Sequence, residues 1–477
     1  MFRTDSTPLM LRLPVTSGNL LDFPKDPIAC MRSLHEEHGD IACLEDDGQR
    51  LFFIFSPEYN RHVLADGKTF HSRFFAVRGG RKSAQRRVTS GLLSMNEGEH
   101  KQHRRMIQGP FQKKVLPKYH GIITDLTDRM LNRWHPGQTL DINAEMTTFM
   151  LRLTSALLFG VDEPAFAVKI GEMIDRWVHM NHKTGMGAMV ADPGFHDRYE
   201  ELQSLADELE ADVQEMIGLR RASDKPPGDV LSILIRMSQS DEAVNEKLSG
   251  HITLLFAAAH LTTAHTFSWT LFLLAQHPEV MRELYTELDT KVAGDVPEPH
   301  EVDQLDVLDR VLRESMRLLP ASGYSQRIAA MPTQLGPFHL PRTATIIFSQ
   351  FITHHRRDIY KQPDRFLPDR WKTISPSAYE YLPFGAGPRM CIGAPLAMME
   401  LKTAATMILK RFRLTMQPYS TVNGRIISTM LGPTSPIRMR IDDADAAFES
   451  QPVFGSIHDL VELPEKSIAV PAVRRAA

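Results

Sequence analysis

The sequence predicts a mainly helical protein with a small β-rich part. The segment 246–276 contains no proline and is apolar nearly all round its centre, which is typical of a helix buried in a large core. Across 116–219, apolar residues recur with the spacing of amphipathic helices, with a break at Gly160. Two regions, 51–55 and the segment after Phe412, read instead as short strands. Helix therefore dominates the chain.

Composition limits the class of protein. The chain has 477 residues, of which 42% are hydrophobic and 24% charged, as in globular proteins with a large core. Its formal net charge of −3 argues against general nucleic-acid binding. Its three cysteines do not make a disulfide framework, and residues 1–24 hold no apolar run near the roughly 18 residues that span a bilayer. We therefore expect a soluble, cytoplasmic protein with no membrane span.

The N-terminal part of the chain begins with a strand and a basic stretch. Residues 51–55, Leu-Phe-Phe-Ile-Phe, predict a strand of a small N-terminal sheet. Residues 73–90 are rich in glycine and arginine and read as a loop. This basic loop is a solvated surface, a gate that attracts acidic substrates, or a face for an acidic partner protein.

Residues 97–105 are predicted to form the beginning of a helix. His100 and Arg104 are four residues apart and share one face of it, where they could hold a carboxylate or simply form a surface. Farther along, 183–194 is looser and apolar around Met186. Between helices, such a segment is either a lid over a pocket or an ordinary connection.

Two later segments carry polar groups in helices. Residues 256–263 read Phe-Ala-Ala-Ala-His-Leu-Thr-Thr, so three alanines narrow the buried helix where something bulky can lie. A threonine hydroxyl there either bonds to the carbonyl four residues earlier or serves a ligand. In the next predicted helix, 303–319, Glu314 and Arg317 are spaced to form an ion pair.

A glycine-rich loop at 384–393, Phe-Gly-Ala-Gly-Pro-Arg-Met-Cys-Ile-Gly, carries one thiol and leads into a predicted helix. Cys391 precedes the helix N-terminus, where unpaired N–H groups favour a thiolate. Phe384 can keep water from the sulfur, and Arg389 can reach an anionic edge of a flat ligand. The loop suits an axial thiolate on haem iron, although most free cysteines are small buried hydrophobes.

This loop resembles the haem-binding signature of the cytochrome P450 family at every defined position. Further landmarks occur in family order over roughly residues 20–441. The resemblance implies the P450 fold, with a single large domain at 1–441 and an extension of unknown role at 442–477. The residues that carry the signature are Phe384, Gly387, Arg389, Cys391 and Gly393.

The resemblance also implies a cofactor and its contacts. It places haem b in the protein, with Cys391 as the iron ligand and Thr262 as the residue that supports dioxygen. It joins an arginine, Arg370 or else Arg365, to the pair of Glu314 and Arg317 as a structural network. The other residues that it places against the haem are His100, Arg104, Ala259, Arg327, Phe384, Arg389 and Gly393.

The same resemblance implies an apolar substrate pocket under a mobile lid. Residues 429–432 are expected to form a turn that reaches back to this pocket. The residues expected to line it are Phe256, Ala257, Ala258, Ala321, Gly323 and Leu431, with Met186 above.

The implied reaction is insertion of one oxygen atom from dioxygen into an apolar terpenoid, steroid, fatty or aromatic compound. Electrons would come from a separate ferredoxin- or flavodoxin-type donor with its reductase. One departure matters: Leu261 stands where the family usually has an acid that belongs to the proton route, and leucine cannot relay a proton. Peroxide-driven oxidation, an isomerase or dehydratase, or a sensor without turnover therefore remain alternatives.

Overall fold

The fold is known from a computed structural model that describes residues 13–73, 77, 79–160, 164–187, 194–223, 228–239, 242–445 and 447–464. The side chains of Met186 and Ala243 lie outside this description, as does the predicted lid from residue 188 to 193. In the described residues, no helix combines the length and apolarity that crossing a membrane requires.

Helices make up most of the described residues, as predicted. They are α1 (Pro27–His38), α2 (Pro57–Ala65), α3 (Ala84–Val88), α4 (Glu97–Ile107), α5 (His120–Leu131), α6 (Ile142–Phe159), α7 (Pro164–Gly187), α8 (Phe195–Ala222), α9 (Val230–Ser238), α10 (Glu242–Glu246), α11 (Leu248–Gln276), α12 (Pro278–Lys291), α13 (Pro299–Val302), α14 (Asp306–Leu318), α15 (Gln350–His354) and α16 (Ala394–Arg411).

The strands are short and form one larger sheet and several small ones. They are β1 (Val15–Ser17), β2 (Ile41–Asp46), β3 (Gln49–Ile54), β4 (Phe70–His71), β5 (Thr139–Asp141), β6 (Ser325–Ala329), β7 (Thr333–Leu335), β8 (Phe338–Leu340), β9 (Thr345–Phe348), β10 (Phe412–Met416), β11 (Ser420–Thr421), β12 (Gly424–Ile427), β13 (Met430–Pro433), β14 (Arg438–Asp443) and β15 (Val453–Phe454). The larger sheet has the order β1-β2-β3-β9-β6-β4.

Strand β3 joins two apolar cores. Successive side chains of a strand point to opposite faces of its sheet. Phe53 accordingly packs into the large helical core, whereas Phe52 and Ile54 pack into a second, smaller cluster. β3 pairs antiparallel with β2 and parallel with β9, so the predicted strand at 51–55 is confirmed as an interior strand.

Helix α11 crosses the middle of the molecule and packs against α6, α7, α14 and β13. Both of its ends are buried, yet Ala258, Ala259, Thr262 and His265 keep part of their surface exposed. These positions share one side of the helix. Because neighbouring elements enclose α11, we interpret this exposed stripe as opening onto an internal cleft.

Some predicted boundaries were wrong. The helix predicted at 303–319 is α14, which begins three residues later, at Asp306; the separate short helix α13 ends at Val302, before the predicted range. The stretch 73–90, predicted as a loop, contains α3, because the Ser83 hydroxyl accepts the N–H of Arg86 and starts a helical turn. Arg87 in that turn forms a two-pronged ion pair with Glu210 of α8, so this arginine ties α3 to α8.

A buried ion network anchors α14 to the chain that leads to the cysteine loop. Glu314 and Arg317 are both fully buried, with Arg317 Nη2 2.9 Å and Nε 3.0 Å from the two carboxylate oxygens. Arg370 Nε lies 2.9 Å from Glu314 Oε1, so the third member is Arg370. Arg365 contributes its carbonyl oxygen, which accepts from Arg317 at 3.1 Å. Trp371 Nε1 donates to Glu314 at 3.0 Å.

The described part of the predicted C-terminal extension packs on the rest of the fold. Phe448 lies edge-on to Tyr285 of α12, with ring centroids 4.5 Å apart. β15 pairs with β11, and Ile457 is fully buried. Residues 447–464 therefore belong to the same packed body as α12 and β11.

Candidate active site

The cysteine loop is a tight turn against α2. The N–H of Cys391 donates to the carbonyl of Phe384 at 2.9 Å and closes the loop. Gly387 has φ +68°, and a Cβ there would collide with the carbonyl oxygen of Leu64. Only glycine fits both conditions. Gly393 has φ −83° and caps α16, so its backbone conformation does not require glycine.

The Cys391 thiol has an environment unlike those of the other cysteines. Burial raises its pKa, while the backbone N–H groups of Gly393 and Ala394 and the charge of Arg104 act in the opposite direction. The residue keeps exposed surface although protein surrounds its sulfur, so we infer that it opens into the molecule. Burial raises the pKa of Cys30 and Cys43 to about 11, which keeps both as neutral thiols.

Four basic side chains converge beside this loop: His100, Arg104, Arg327 and Arg389. Burial lowers the pKa of His100 to about 4, helped by the charges of the three arginines. Its imidazole is therefore neutral at neutral pH and serves as a hydrogen-bonding group. Burial also lowers the pKa of Arg327 and of Arg389 to about 10, so both remain cationic at neutral pH.

These basic groups lack a carboxylate counter-charge among the residues that the structure describes. Among the described residues, no carboxylate forms an ion pair with His100, Arg104, Arg327 or Arg389. Partly buried positive charges are costly unless an anion compensates them. The cluster is therefore suited to a ligand with anionic groups at one edge.

Two of the arginines are held by neighbouring groups. Arg389 donates to the carbonyl oxygens of Leu92 and Met95 and, at 2.7 Å, to Asn96 Oδ1, which joins the cysteine loop to the start of α4. Arg327 on β6 lies over the ring of Phe348, 5.2 Å from its centroid. The two guanidinium groups therefore enter the cluster from different elements, one from the cysteine loop and the other from β6.

Helix α11 supplies the other side of the candidate site. The short turn Leu92–Ser94 contacts both α11 and Arg389, so the helix and the cysteine loop share a neighbour. Thr262 Oγ1 donates to the carbonyl of Ala258 at 2.7 Å, and Thr263 Oγ1 to that of Ala259 at 2.9 Å. In this structure both hydroxyls bond back to the helix.

The structure separates the expected substrate residues into two groups. Ala257, Ala258 and Ala321 keep exposed surface. Phe256 is fully buried and stacks on Phe159 of α6, with centroids 5.6 Å apart. It lies about 200° around the helix from Ala258, so its side chain points away from the exposed stripe.

The hairpin of β12 and β13 reaches back to 321–323, as predicted for 429–432. The N–H of Leu431 donates to Ala321 at 3.0 Å, and the N–H of Gly323 donates to Thr429 at 2.9 Å. The Leu431 side chain is fully buried, and a Cβ on Gly323 would collide with Ile426. Gly323 and Leu431 therefore dock the hairpin and do not face open space.

The comparisons with known proteins identify the family. A family model described as Cytochrome P450 matches residues 8–439. The chain belongs to the cytochrome P450 family. Membership makes it a monooxygenase, an oxidoreductase, and implies a haem whose iron is ligated by a cysteine.

Curated P450 relatives align over most of the chain. Cyclooctat-9-en-7-ol 5-monooxygenase of Streptomyces melanosporofaciens is 31% identical over 421 residues, which cover 85% of this chain and 89% of that protein. Pentalenene oxygenase of Streptomyces avermitilis is 26% identical and covers 89% of this chain and 94% of its own. The crystal structure of the cytochrome P450DA heme domain superposes with a TM-score of 0.75 at 22% identity, covering 87% of this chain and 93% of that one. This structural likeness supports the fold alone.

The site residues of this P450 fit a haem. The two propionates of a haem would supply negative charge to the basic side chains, which pair with no carboxylate among the described residues, and the thiol would supply the sulfur donor. His265, which the sequence analysis missed, also belongs to the exposed stripe of α11. No motif marks it, although its spacing of three residues from Thr262 was visible in the sequence.

Proposed function

We propose that this P450 inserts one oxygen atom from dioxygen into an apolar terpenoid. The observation that carries the proposal is the cysteine loop beside a cluster of basic side chains that pair with no carboxylate in the described part of the chain. When bound, haem supplies the activation of dioxygen. The protein contributes the sulfur donor, the basic cluster that orients the cofactor, and the enclosed stripe of α11.

Within this proposal, Cys391 ligates the iron of a b-type haem. His100, Arg104, Arg327 and Arg389 bind its propionates. The small side chains of Ala258 and Ala259 leave room beside α11 for the cofactor and a bulky substrate. Thr262 can release its bond to the Ala258 carbonyl and donate its hydroxyl into the cleft instead.

The terpenoid class is supported by the relatives. Two of them are named for oxidising cyclooctat-9-en-7-ol and pentalenene. The small apolar residues Ala257, Ala258 and Ala321 are compatible with a rigid hydrocarbon skeleton. We propose that electrons come from a separate ferredoxin- or flavodoxin-type donor and its reductase, because P450 relatives need a redox partner.

Isotope labelling tests the function. The purified holoenzyme would be incubated with NADPH, ferredoxin, ferredoxin reductase and a panel of cyclic terpenes and terpene alcohols under ¹⁸O₂. We expect a product that contains one ¹⁸O atom and depends on the reductase. Product formed with hydrogen peroxide but not with the reductase would favour the peroxide-driven alternative, which Leu261 motivates. An isomerised or dehydrated product without ¹⁸O would overturn the monooxygenase proposal.

The second prediction concerns how strongly the basic cluster holds the haem. Arg327→Gln should speed haem transfer to apomyoglobin by about tenfold or more, because a hydrogen bond to a charged group contributes about 1.5–3 kcal/mol. The rate is followed by the Soret absorbance. Arg342→Gln, an exposed arginine between β8 and β9, is the matched control and should behave as the parent does. Equal rates for both variants would remove Arg327 from the haem contacts.

A further inference from the structure

The proposed reaction needs a source of protons inside the protein. One atom of dioxygen is joined to a substrate C–H carbon, and the other is reduced to water. Each turnover therefore consumes two electrons, which the redox partner supplies, and two protons from solvent. Between Phe256 and Thr266 of α11, the ionisable side chains are His260 and His265.

His265 lies on the exposed stripe, beside Thr262. It follows Leu261 by four residues and Thr262 by three, so it is a neighbour of both on the helix surface. Helical side chains lean toward the N-terminus, which places its imidazole over the turn that holds these two residues. His265 can therefore reach the region where an acid at position 261 would act.

The imidazole of His265 is fixed in place but incompletely bonded. A Cβ on Gly432 of β13 would collide with its ring, so the ring packs tightly against β13. Its Nδ1 is buried and has no hydrogen-bond partner within the described residues. Burying a nitrogen without a hydrogen-bond partner is unfavourable, so a water or another bound group that pairs with it is favoured.

A pocket of about 380 Å³, which we call the polar pocket because most residues that line it have polar side chains, lies on the other side of α11, between α6 and α7. His260 borders it, with Nε2 3.1 Å from the carbonyl of Thr147 and Nδ1 3.7 Å from Asp175 Oδ1. His179 of α7 also borders the pocket and is exposed. The full lining is Thr147, Thr148, Leu151, Glu172, Asp175, Arg176, His179 and His260.

His260, which borders the pocket, lies five residues before His265 on the same helix. The pKa of His265 is lowered to about 4. Burial is the main cause, and the charges of His260 and His179 contribute in the same direction. At neutral pH the His265 imidazole is therefore neutral. A neutral imidazole accepts a proton at one nitrogen while the other donates one, so it can pass protons without a net change in charge.

We propose that His265 delivers the protons that this reaction consumes, and that they enter through the polar pocket between α6 and α7. The inference rests on the proposed function. In the proposal, His265, one turn beyond Leu261, relays the protons that leucine cannot relay. Ordered water would connect His179 and His260 to the imidazole.

Coupling measurements on the holoenzyme test the proposal. His265→Gln keeps polarity and hydrogen bonding, but its amide neither takes up nor releases a proton near neutral pH. We expect product formed per NADPH to fall by about tenfold or more, with a matching rise in hydrogen peroxide, while the substrate-induced Soret shift stays within about twofold. Leu261→Glu should restore coupling in the His265→Gln background and change it less than about twofold in the parent.

Controls separate proton delivery from other roles. His277→Gln, at the C-terminal end of the same helix, should couple as the parent does. If His265→Gln loses haem, His265→Asn replaces it in the coupling measurement. A second readout does not depend on turnover: in ¹⁵N-histidine spectra of the reduced carbonyl complex, His260→Gln should raise the pKa of His265, because one lowering charge is removed.

The outcomes are distinguishable. Normal coupling in His265→Gln, or an unmoved His265 pKa in His260→Gln, would overturn the proton route. A weakened Soret shift with normal coupling would make His265 a substrate contact and would also overturn it. If the parent itself forms no oxygenated product, the proposed function has failed, and that is seen before any variant is measured.

Discussion

Replacing Cys391 with serine should abolish the thiolate-type spectrum of the reduced carbonyl complex and reduce oxygenation to background. Serine is nearly the same size, but its hydroxyl does not ionise near neutral pH. An alkoxide is therefore not available to donate electrons as a thiolate does. The loop itself should survive, since its closure depends on the N–H of Cys391 and the carbonyl of Phe384, 2.9 Å apart.

Cys30→Ser is the matched control. Cys30 lies on α1, half-buried, and burial raises its pKa to about 11, so it stays a neutral thiol at neutral pH. This variant should keep the thiolate-type spectrum and the parent rate of product formation. A Cys391→Ser protein that retained that spectrum would overturn the ligand assignment, and loss of the spectrum in Cys30→Ser would do the same.

The predictions that the structure confirms are mostly local ones. Glu314 and Arg317 are three residues apart on one helix, so their pairing follows from helix geometry alone. Arg370 was placed with them only through the family resemblance, and the structure brings it within 2.9 Å. The turn at Gly387 follows locally in part: its positive φ favours glycine by itself, whereas the close approach of Leu64, which also excludes a side chain, is a long-range contact.

The sequence could not fix which side chains face the cleft. Phe256 lies in the same turn as the alanines that keep exposed surface, but Phe159 and α7 bury it on the opposite side. Gly323 looked like a pocket residue, and its lack of a side chain instead makes room for Ile426 from a distant hairpin. Such assignments depend on which element covers which face. The spacing of residues within one segment does not contain that information.

His265 shows the same limit from the other direction. Its distance from Thr262 is visible in the sequence, yet no pattern there predicts that Gly432 packs against its ring. That contact joins residues far apart in the chain. That its Nδ1 has no hydrogen-bond partner among the described residues is a property of the folded environment alone.

The second large effect is expected at Glu314. Glu314→Gln keeps the size of the side chain but removes the charge that Arg317 and Arg370 share. Arg317 is fully buried and cannot turn to water, so it would be left as an unpaired charge. Breaking a buried pair in this way costs about 3–5 kcal/mol, and we expect a loss of this size in the free energy of unfolding.

Denaturant unfolding of the holoenzyme, followed by far-UV circular dichroism, measures this loss. Asp22→Asn is the control, because the pair of Asp22 and Lys25 is exposed and should leave the unfolding midpoint unchanged. At low temperature, the folded fraction of Glu314→Gln should retain the thiolate-type spectrum, because Glu314 binds α14 to Arg370 and Trp371 and does not contact Cys391. Unchanged stability would show that the surrounding carbonyl groups, which accept from Arg317 at 2.7–3.1 Å, solvate the charge by themselves. A stable variant that lost the spectrum would instead place the network in the haem site, and its structural role would have to be abandoned.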